Sequence, residues 1–338
     1  MLKYSDLKLR LLKDVKEIIK YIQIGTSIPI WNQFMKYILL DFEYFGVKSL
    51  IVEKQGNLLG HCLLFNPDNE NLYFGYFGVL NHNINGIEFL IHEIIKYAEN
   101  NGFKKIIGPI NIPVIIFGWG FMVEGSSDTL FIGKPVNPPL YQNSFFNQNF
   151  QLKHKELTFL FDPMPLLDPK KLKKYNFSDY EYFYPKNLKE VIKYKNSFMK
   201  LHTNNLPSSA RITPNLEGII ENYGEFILKY GYPFMLGFVR YKPTDEIIGT
   251  ISYLPNPFRT NEKGIYDSCV GFSWVVEPEH RGKGITLLMY GYSSSLLWDK
   301  GIRCWNGPVG GDNEVNIAAL KNLGGKISRT HLILQYNF

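Results

Sequence analysis

Along the chain, stretches in which apolar and polar residues alternate are interleaved with longer stretches whose apolar positions recur every three to four residues. Residues 7–12 read as a strand, 15–21 and 30–45 as helices, and 49–53 with 58–65 as a hairpin about Gln55-Gly-Asn57. A strand over 71–80, a helix over 86–99 and a strand over 105–110 follow. The helix carries the clearest pattern, with Ile87, Leu90, Ile91, Ile94, Ile95 and Ala98 on one face and Asn100-Asn-Gly102 to stop it. After Pro113 comes a Gly-, Phe- and Trp-rich connection with little periodicity, then a short helix over 140–147 and a strand over 152–161.

The second half runs through a similar order. Strand 176–184 leads to helices 188–202 and 216–230, then strands 234–241 and 246–254 about Pro243-Thr-Asp245. Strand 265–277, helix 284–300, strand 303–306, helix 314–323 and strand 326–336 complete it. Ile107-Gly-Pro-Ile-Asn111 and Trp305-Asn-Gly-Pro-Val309 occupy corresponding places in the two halves, which predicts tandem copies of one α/β unit. Asp162-Pro-Met-Pro-Leu-Leu-Asp-Pro169 is proline punctuation between them. The expected division is a first lobe over 1–162, a linker over 163–175 and a second lobe over 176–338.

Composition narrows the chemistry. With 338 residues, 45% hydrophobic and 20% charged, the chain is long enough for two globular cores. The net charge of +6 suits an anionic ligand, but no Lys/Arg cluster is dense enough to suggest nucleic acid. Cys62, Cys269 and Cys304 lack metal-ligand spacing and read as reduced thiols, which points to the cytoplasm. No metal is expected, and no apolar run approaches membrane-spanning length.

The candidate chemistry lies in Trp274-Val-Val-Glu-Pro-Glu-His-Arg-Gly-Lys-Gly-Ile-Thr286. A strand closed by Pro278 leads through a glycine turn into a helix N-terminus, where backbone N–H groups and the helix dipole favour a phosphate. The turn lacks the Gly-Lys-Ser/Thr ending of a P-loop and the third glycine of a dinucleotide fingerprint. An ordinary strand–turn–helix, with Gly282 and Gly284 only permitting positive φ, is the plainer alternative.

Arg281-Gly-Lys-Gly-Ile-Thr286 resembles the acyl-CoA loop, Arg/Gln-x-x-Gly-x-Gly/Ala, of the GNAT (GCN5-related N-acetyltransferase) superfamily, with Thr286 departing at the last position. The resemblance implies an α+β fold: two tandem GNAT-like lobes, each a mixed, mostly antiparallel sheet flanked by helices. It also implies an acyl-CoA co-substrate, acetyl-CoA or a longer acyl-CoA, held by Arg281, Gly282, Lys283, Gly284, Ile285 and Thr286. Backbone groups of Trp274 and Val276 would face the pantetheine arm and the acyl carbonyl. Asn313-Glu-Val-Asn-Ile-Ala-Ala-Leu-Lys-Asn-Leu-Gly324 is similar to the family's Asn-x-x-Ala-x-x-Leu-Tyr segment, which sets Asn313 toward the pantetheine or, equally, as a helix cap. The tyrosine that often protonates the leaving thiolate corresponds to Leu320. Tyr290, Tyr292, Tyr336 or water would have to serve instead. Glu277 is the position for a general base, or else a solvated carboxylate at a strand end.

In the first half, Asn81-His-Asn-Ile-Asn-Gly86 stands where the glycine loop should be and has no Arg, so that lobe reads as degenerate. Phe117-Gly-Trp-Gly-Phe121 is expected either to wall an acceptor cleft or simply to pack. The implied reaction is direct transfer of an acyl group to a primary amine of a small molecule or peptide. A long-chain acyl or aminoacyl transferase of similar two-lobe design and a non-catalytic acyl-CoA-binding module stay open. Gly284→Asp is expected to abolish cofactor binding, and Gly86→Asp to leave it intact.

Overall fold

The computed structural model describes residues 4–205 and 216–338. Two compact units make up the chain: Met1–Glu156 with Arg329–Phe338, and Leu157–Ser328.

In the first unit, β1 (Leu7–Leu12), β2 (Lys48–Lys54), β3 (Asn57–Phe65) and β4 (Asn71–Val79) pair antiparallel in succession. The β2–β3 turn forms where expected, because Gln55 and Gly56 both adopt positive φ, 52° and 80°, matching the strands' right-handed twist. The helical stretch expected over 15–21 shortens to α1 (Val15–Ile18), and α2 (Met35–Phe45) begins five residues later than its pattern suggested. Tertiary packing overrides periodicity here. After α1 the chain tightens into a 3-10 turn over Ile22–Gly25 that lies against β4, where a Cβ on Gly25 would sit 1.8 Å from the Tyr76 carbonyl oxygen.

Next, α3 (Ile84–Asn100) crosses over to β5 (Lys105–Gly108), capped by the Asn83 side chain on the Gly86 N–H. Its predicted face is buried except at Ile95, which is half-buried. Ile87, Leu90, Ile91, Ile94 and Ala98 pack with Leu50, Val52, Leu64, Phe74 and Phe77, each side chain larger than Ala98 contributing about 1.5–3 kcal/mol of transfer free energy. The aperiodic connection holds α4 (Val114–Phe117), wholly buried, and β6 (Phe121–Gly125), which alternation over so few residues could not announce. Phe117-Gly-Trp-Gly-Phe121 therefore packs inside the first unit: a Cβ on Gly118 would meet the Gly133 carbonyl oxygen at 2.1 Å. The helix α5 (Leu140–Phe146) and β7 (Gln151–Phe161) follow. Within this unit Lys134 Nζ and Glu156 Oε1 stand 2.5 Å apart with side chains only 4% and 6% exposed.

The second unit opens with α6 (Pro169–Leu172), capped by Asp168, inside the stretch expected to be a plain linker. It continues through β8 (Tyr180–Phe183), through α7 (Leu188–Lys193) and α8 (Lys195–Asn205), where a single helix was expected over 188–202, and through α9 (Leu216–Tyr230), where the expected bounds hold. Then come β9 (Leu236–Tyr241), β10 (Glu246–Pro255), β11 (Ser268–Val276), α10 (Ile285–Asp299), β12 (Cys304–Gly310), α11 (Glu314–Asn322) and the start of β13 (Lys326–Asn337), most of which belongs to the first unit. Its sheet runs β12-β11-β10-β9-β8, antiparallel except between β11 and β12.

The expected lobes, 1–162 and 176–338, differ from these units in one consequential way. Residues 329–338 belong to the first unit, because β13 pairs antiparallel with β5, from Leu334↔Gly108 to Asn337↔Lys105. A strand's pattern is visible in sequence, whereas its hydrogen-bond partner is not.

Candidate active site

Each unit has a parallel strand pair that parts company. In the second, β11 and β12 pair at Ser268↔Cys304, Cys269↔Trp305 and Val270↔Asn306, and the register stops there. In the first, β4 and β5 pair at Asn71↔Lys105, Leu72↔Ile106 and Tyr73↔Ile107. In both, the last paired residue stands directly before a Gly-Pro step, Gly108-Pro109 or Gly307-Pro308. Proline has no N–H to donate, so the ladder is interrupted at that step.

What happens beyond that point differs. The first unit fills its own wedge: Ile110 N–H donates to the Phe74 carbonyl at 2.7 Å, and Tyr76 N–H donates to Asn111 Oδ1 at 2.7 Å. The Tyr76 hydroxyl then donates to the Ile112 carbonyl. So closely does this segment approach that a Cβ on Gly75 would lie 2.0 Å from the Ile110 oxygen. In the second unit β12 runs on to Gly310 without further register to β11.

At the divergence in the second unit lie buried polar atoms without partners among the described residues. Asn306 is 1% exposed, and neither its Nδ2 nor its Oδ1 is hydrogen-bonded. The Trp274 Nε1 is likewise buried and unbonded. Each such group costs about 1–3 kcal/mol unless something polar is brought to it. One face of β11 is lined by rings: Trp274, itself half-buried, stacks on Trp305 at 5.2 Å, Trp305 on Phe161 at 4.3 Å, and Tyr290 of α10 lies 5.6 Å from Trp274.

Beyond β11, Glu277 N–H donates to the Ile248 carbonyl, which holds the strand end in the sheet. Gly282 and Gly284 both have positive φ, 74° and 79°, and the turn Arg281, Gly282, Lys283 is exposed. Gly284 is the N-cap of α10 with no side-chain cap bond, and the first turn holds no acid. Ile285 is buried in the unit, while Thr286 points outward, so its Cβ branch does not fill the turn. An uncapped, electropositive helix end flanked by Arg281 and Lys283 is a physical fit for a diphosphate. Asn313 caps α11, its Oδ1 accepting from the Asn316 N–H at 3.1 Å.

The opposite face of β11 meets α8 and carries Ser273 and Glu277 with the apolar Val275 between them. Asn205 Nδ2 donates to Glu277 Oε2 at 3.0 Å, while Arg281 donates through Nη2 to Asn205 Oδ1 at 2.8 Å and through Nε to the Val276 carbonyl at 2.9 Å. Earlier on the same face, His202 Nδ1 lies 2.7 Å from the Phe198 carbonyl, and its Nε2 bonds the Ser273 hydroxyl. Burial pushes the His202 pKa down to about 4. His280 bonds the Tyr180 hydroxyl at 3.0 Å, and its pKa is lowered by burial and by Lys283.

No family model matches the sequence, and no curated protein matches it at a significant level. Solved structures do. A tandem GNAT protein from the clavulanic acid biosynthesis pathway superposes with a TM-score of 0.58 at 13% identity, covering 98% of each chain. A GCN5-related N-acetyltransferase from Sphaerobacter thermophilus gives 0.59 at 10% identity, covering 98% of this chain and 96% of that one. A GNAT-family acetyltransferase from Colwellia psychrerythraea gives 0.52 at 12%, covering 98% and 99%. The chain has the GNAT fold, in tandem.

Within this GNAT fold the second unit brings Trp274, Val276, Glu277 and Arg281 to one strand end, with Gly282, Lys283, Gly284, Ile285 and Thr286 at the adjoining helix start. The tyrosines considered as proton donors fare differently. Tyr290 is buried and its hydroxyl donates to the Pro165 carbonyl, Tyr292 is 53% exposed and stacked on Tyr182, and Tyr336 lies in the first unit. Leu320 is buried and apolar. Sequence reasoning missed His202, Asn205, Ser273 and Asn306. The only signal was indirect: polar residues in an otherwise apolar strand pattern, and a His and Asn one helical turn apart.

The control foreseen at Gly86 does not serve. Gly86 lies inside α3, where a Cβ would meet Leu59 at 2.8 Å and Val79 at 3.1 Å, so Gly86→Asp would disrupt the first unit's core. Gly284 has its own complication, because a Cβ there would meet the Tyr175 ring at 2.6 Å.

Proposed function

We propose that the protein is an acyl-CoA-dependent N-acyltransferase that moves an acetyl group from acetyl-CoA directly to a primary amine of a small molecule or peptide, with the second unit as the working lobe. The observation that carries this is the pairing of two features at one strand: an unclosed wedge with the orphaned Asn306 amide, and an uncapped helix start at Gly284. The pantetheine arm is a chain of amides and would satisfy Asn306 and Trp274, while its diphosphate would meet the N–H groups of the turn. Among the described residues no group of three or more His, Cys, Asp or Glu could hold a metal ion. The first unit, its wedge filled by Ile110 and Asn111, would be the degenerate copy.

Glu277 would take the proton of the incoming ammonium. Its carboxylate is oriented by Asn205, itself held by Arg281, and it is open enough to pass that proton to water. Glu277→Gln is therefore expected to lower turnover about 10²-fold with little change in coenzyme A affinity, measured by thiol release beside calorimetry. Buried, free Cys62, Cys269 and Cys304 support a reducing compartment such as the cytoplasm. Among the described residues no helix is long and apolar enough to cross a membrane.

Calorimetric titration with coenzyme A, acetyl-CoA and a long-chain acyl-CoA tests the proposal. One saturating site is expected, and the order of affinities identifies the donor. No binding to any of the three would overturn the reading. Leu320, apolar where the family's tyrosine stands, favours a second reading as an acyl-CoA-binding module. Binding without thiol release in the presence of amines would select it.

A further inference from the structure

Transfer from a thioester to an amine needs a proton donor for the departing sulfur. None of the tyrosines in the second unit considered above offers a free hydroxyl on the α8 side of β11: Tyr290 spends its proton on the Pro165 carbonyl and Tyr292 is stacked on Tyr182. That face instead carries a serine–histidine pair. Side chains alternate along a strand, so Ser273 and Glu277 share the side that meets α8, while Trp274 faces the rings of Trp305 and Tyr290.

The hydrogen bonds fix the protons on this pair. The Phe198 carbonyl can only accept, so His202 Nδ1 carries the hydrogen and Nε2 presents a lone pair, to which the Ser273 hydroxyl donates. Phe198 also stacks on the imidazole at 3.8 Å, holding the ring plane. Buried as it is, the imidazole is a neutral base at physiological pH. A hydroxyl bonded to an oriented imidazole is an arrangement that exchanges protons.

We propose that Ser273 and His202 form a proton shuttle that replaces the missing tyrosine, an inference that rests on the acyltransferase reading. As the amine nitrogen bonds the thioester carbon, it gives its second proton to Ser273 Oγ, whose own proton passes to His202 Nε2. As the carbon–sulfur bond breaks and its electron pair leaves on sulfur, the proton returns from Nε2 through Oγ to the thiolate. The amide and the free thiol are the products, and both side chains end as they began. Glu277 removes the first ammonium proton to water, and the shuttle carries the second from nitrogen to sulfur.

The test measures coenzyme A affinity and thiol release from acetyl-CoA, with water and a panel of primary amines as acceptors, in the wild type, Ser273→Ala, His202→Asn and Ser273→Thr. Equal affinity throughout is expected, with turnover reduced at least 100-fold in Ser273→Ala and His202→Asn and largely kept in Ser273→Thr. The deficit should shrink to under tenfold with 4-nitrothiophenyl acetate, whose leaving group needs no proton. Turnover within twofold of the wild type in Ser273→Ala overturns the shuttle, as does an equal deficit with both donors. Binding without any thiol release by the wild type overturns the shuttle while leaving an acyl-CoA site in place. A wild type that does not bind coenzyme A overturns the acyltransferase reading itself. Should His202→Asn fail to fold, Ser273→Ala, which removes one oxygen atom, decides alone.

Discussion

Gly282→Asp is expected to weaken coenzyme A binding about a thousandfold. Gly282 has a φ of 74°, and a Cβ there would have nothing within 4 Å, so the substitution meets open space and costs only the modest strain of a left-handed residue, for which Asp is among the better-suited types. The loss comes from charge. A carboxylate about 4 Å from a diphosphate, at an effective dielectric near 20, is repelled by about 4 kcal/mol, and each 1.4 kcal/mol is a factor of ten. Gly284→Asp would add a collision with the Tyr175 ring and so confuse electrostatics with packing. The matched control is Gly301→Asp, at the other end of α10, with a φ of 87° and equally open surroundings. Titration should show affinity lost in the first variant and kept in the second. Equal affinities would remove the anion site from the start of α10.

Lys134→Met is expected to destabilise the first unit by about 3–5 kcal/mol, because it leaves the Glu156 carboxylate buried without its partner. That corresponds to a fall of about 10 °C in the melting temperature of a unit this size, readable by calorimetry. The double variant Lys134→Met/Glu156→Leu should recover most of the loss, since removing both charges removes the desolvation penalty along with the attraction. A single variant as stable as the wild type would mean that Glu156 finds another cation or water.

How far the sequence foretold this molecule depends on the range of the interactions involved. The face of α3, the β2–β3 turn at Gln55-Gly56, and the strand–turn–helix from Ser268 to Asp299 were legible because each is set by residues near one another in the chain. The Gly-Pro landmarks were visible as a repeat, and the structure supplies their reason: each ends a parallel ladder. Illegible were features that need a distant partner. The seating of Gly25 against Tyr76 and the membership of residues 329–338, set by β13 meeting β5, each rest on residues far apart in the chain. His202 and Ser273 are separated by 71 positions, and neither has a telling neighbour. Their pairing is a property of how α8 lies on β11.

The exchange at β13 also governs when this protein can exist. During synthesis the second unit's residues, from Leu157 to Ser328, all emerge before Arg329–Phe338 does, although that segment supplies the partner of β5 in the unit begun first. A nascent first unit must wait through the translation of the entire second one with a strand edge unpaired, which is when exposed edges recruit other chains. The half of the protein that is made first is thus the half that is finished last.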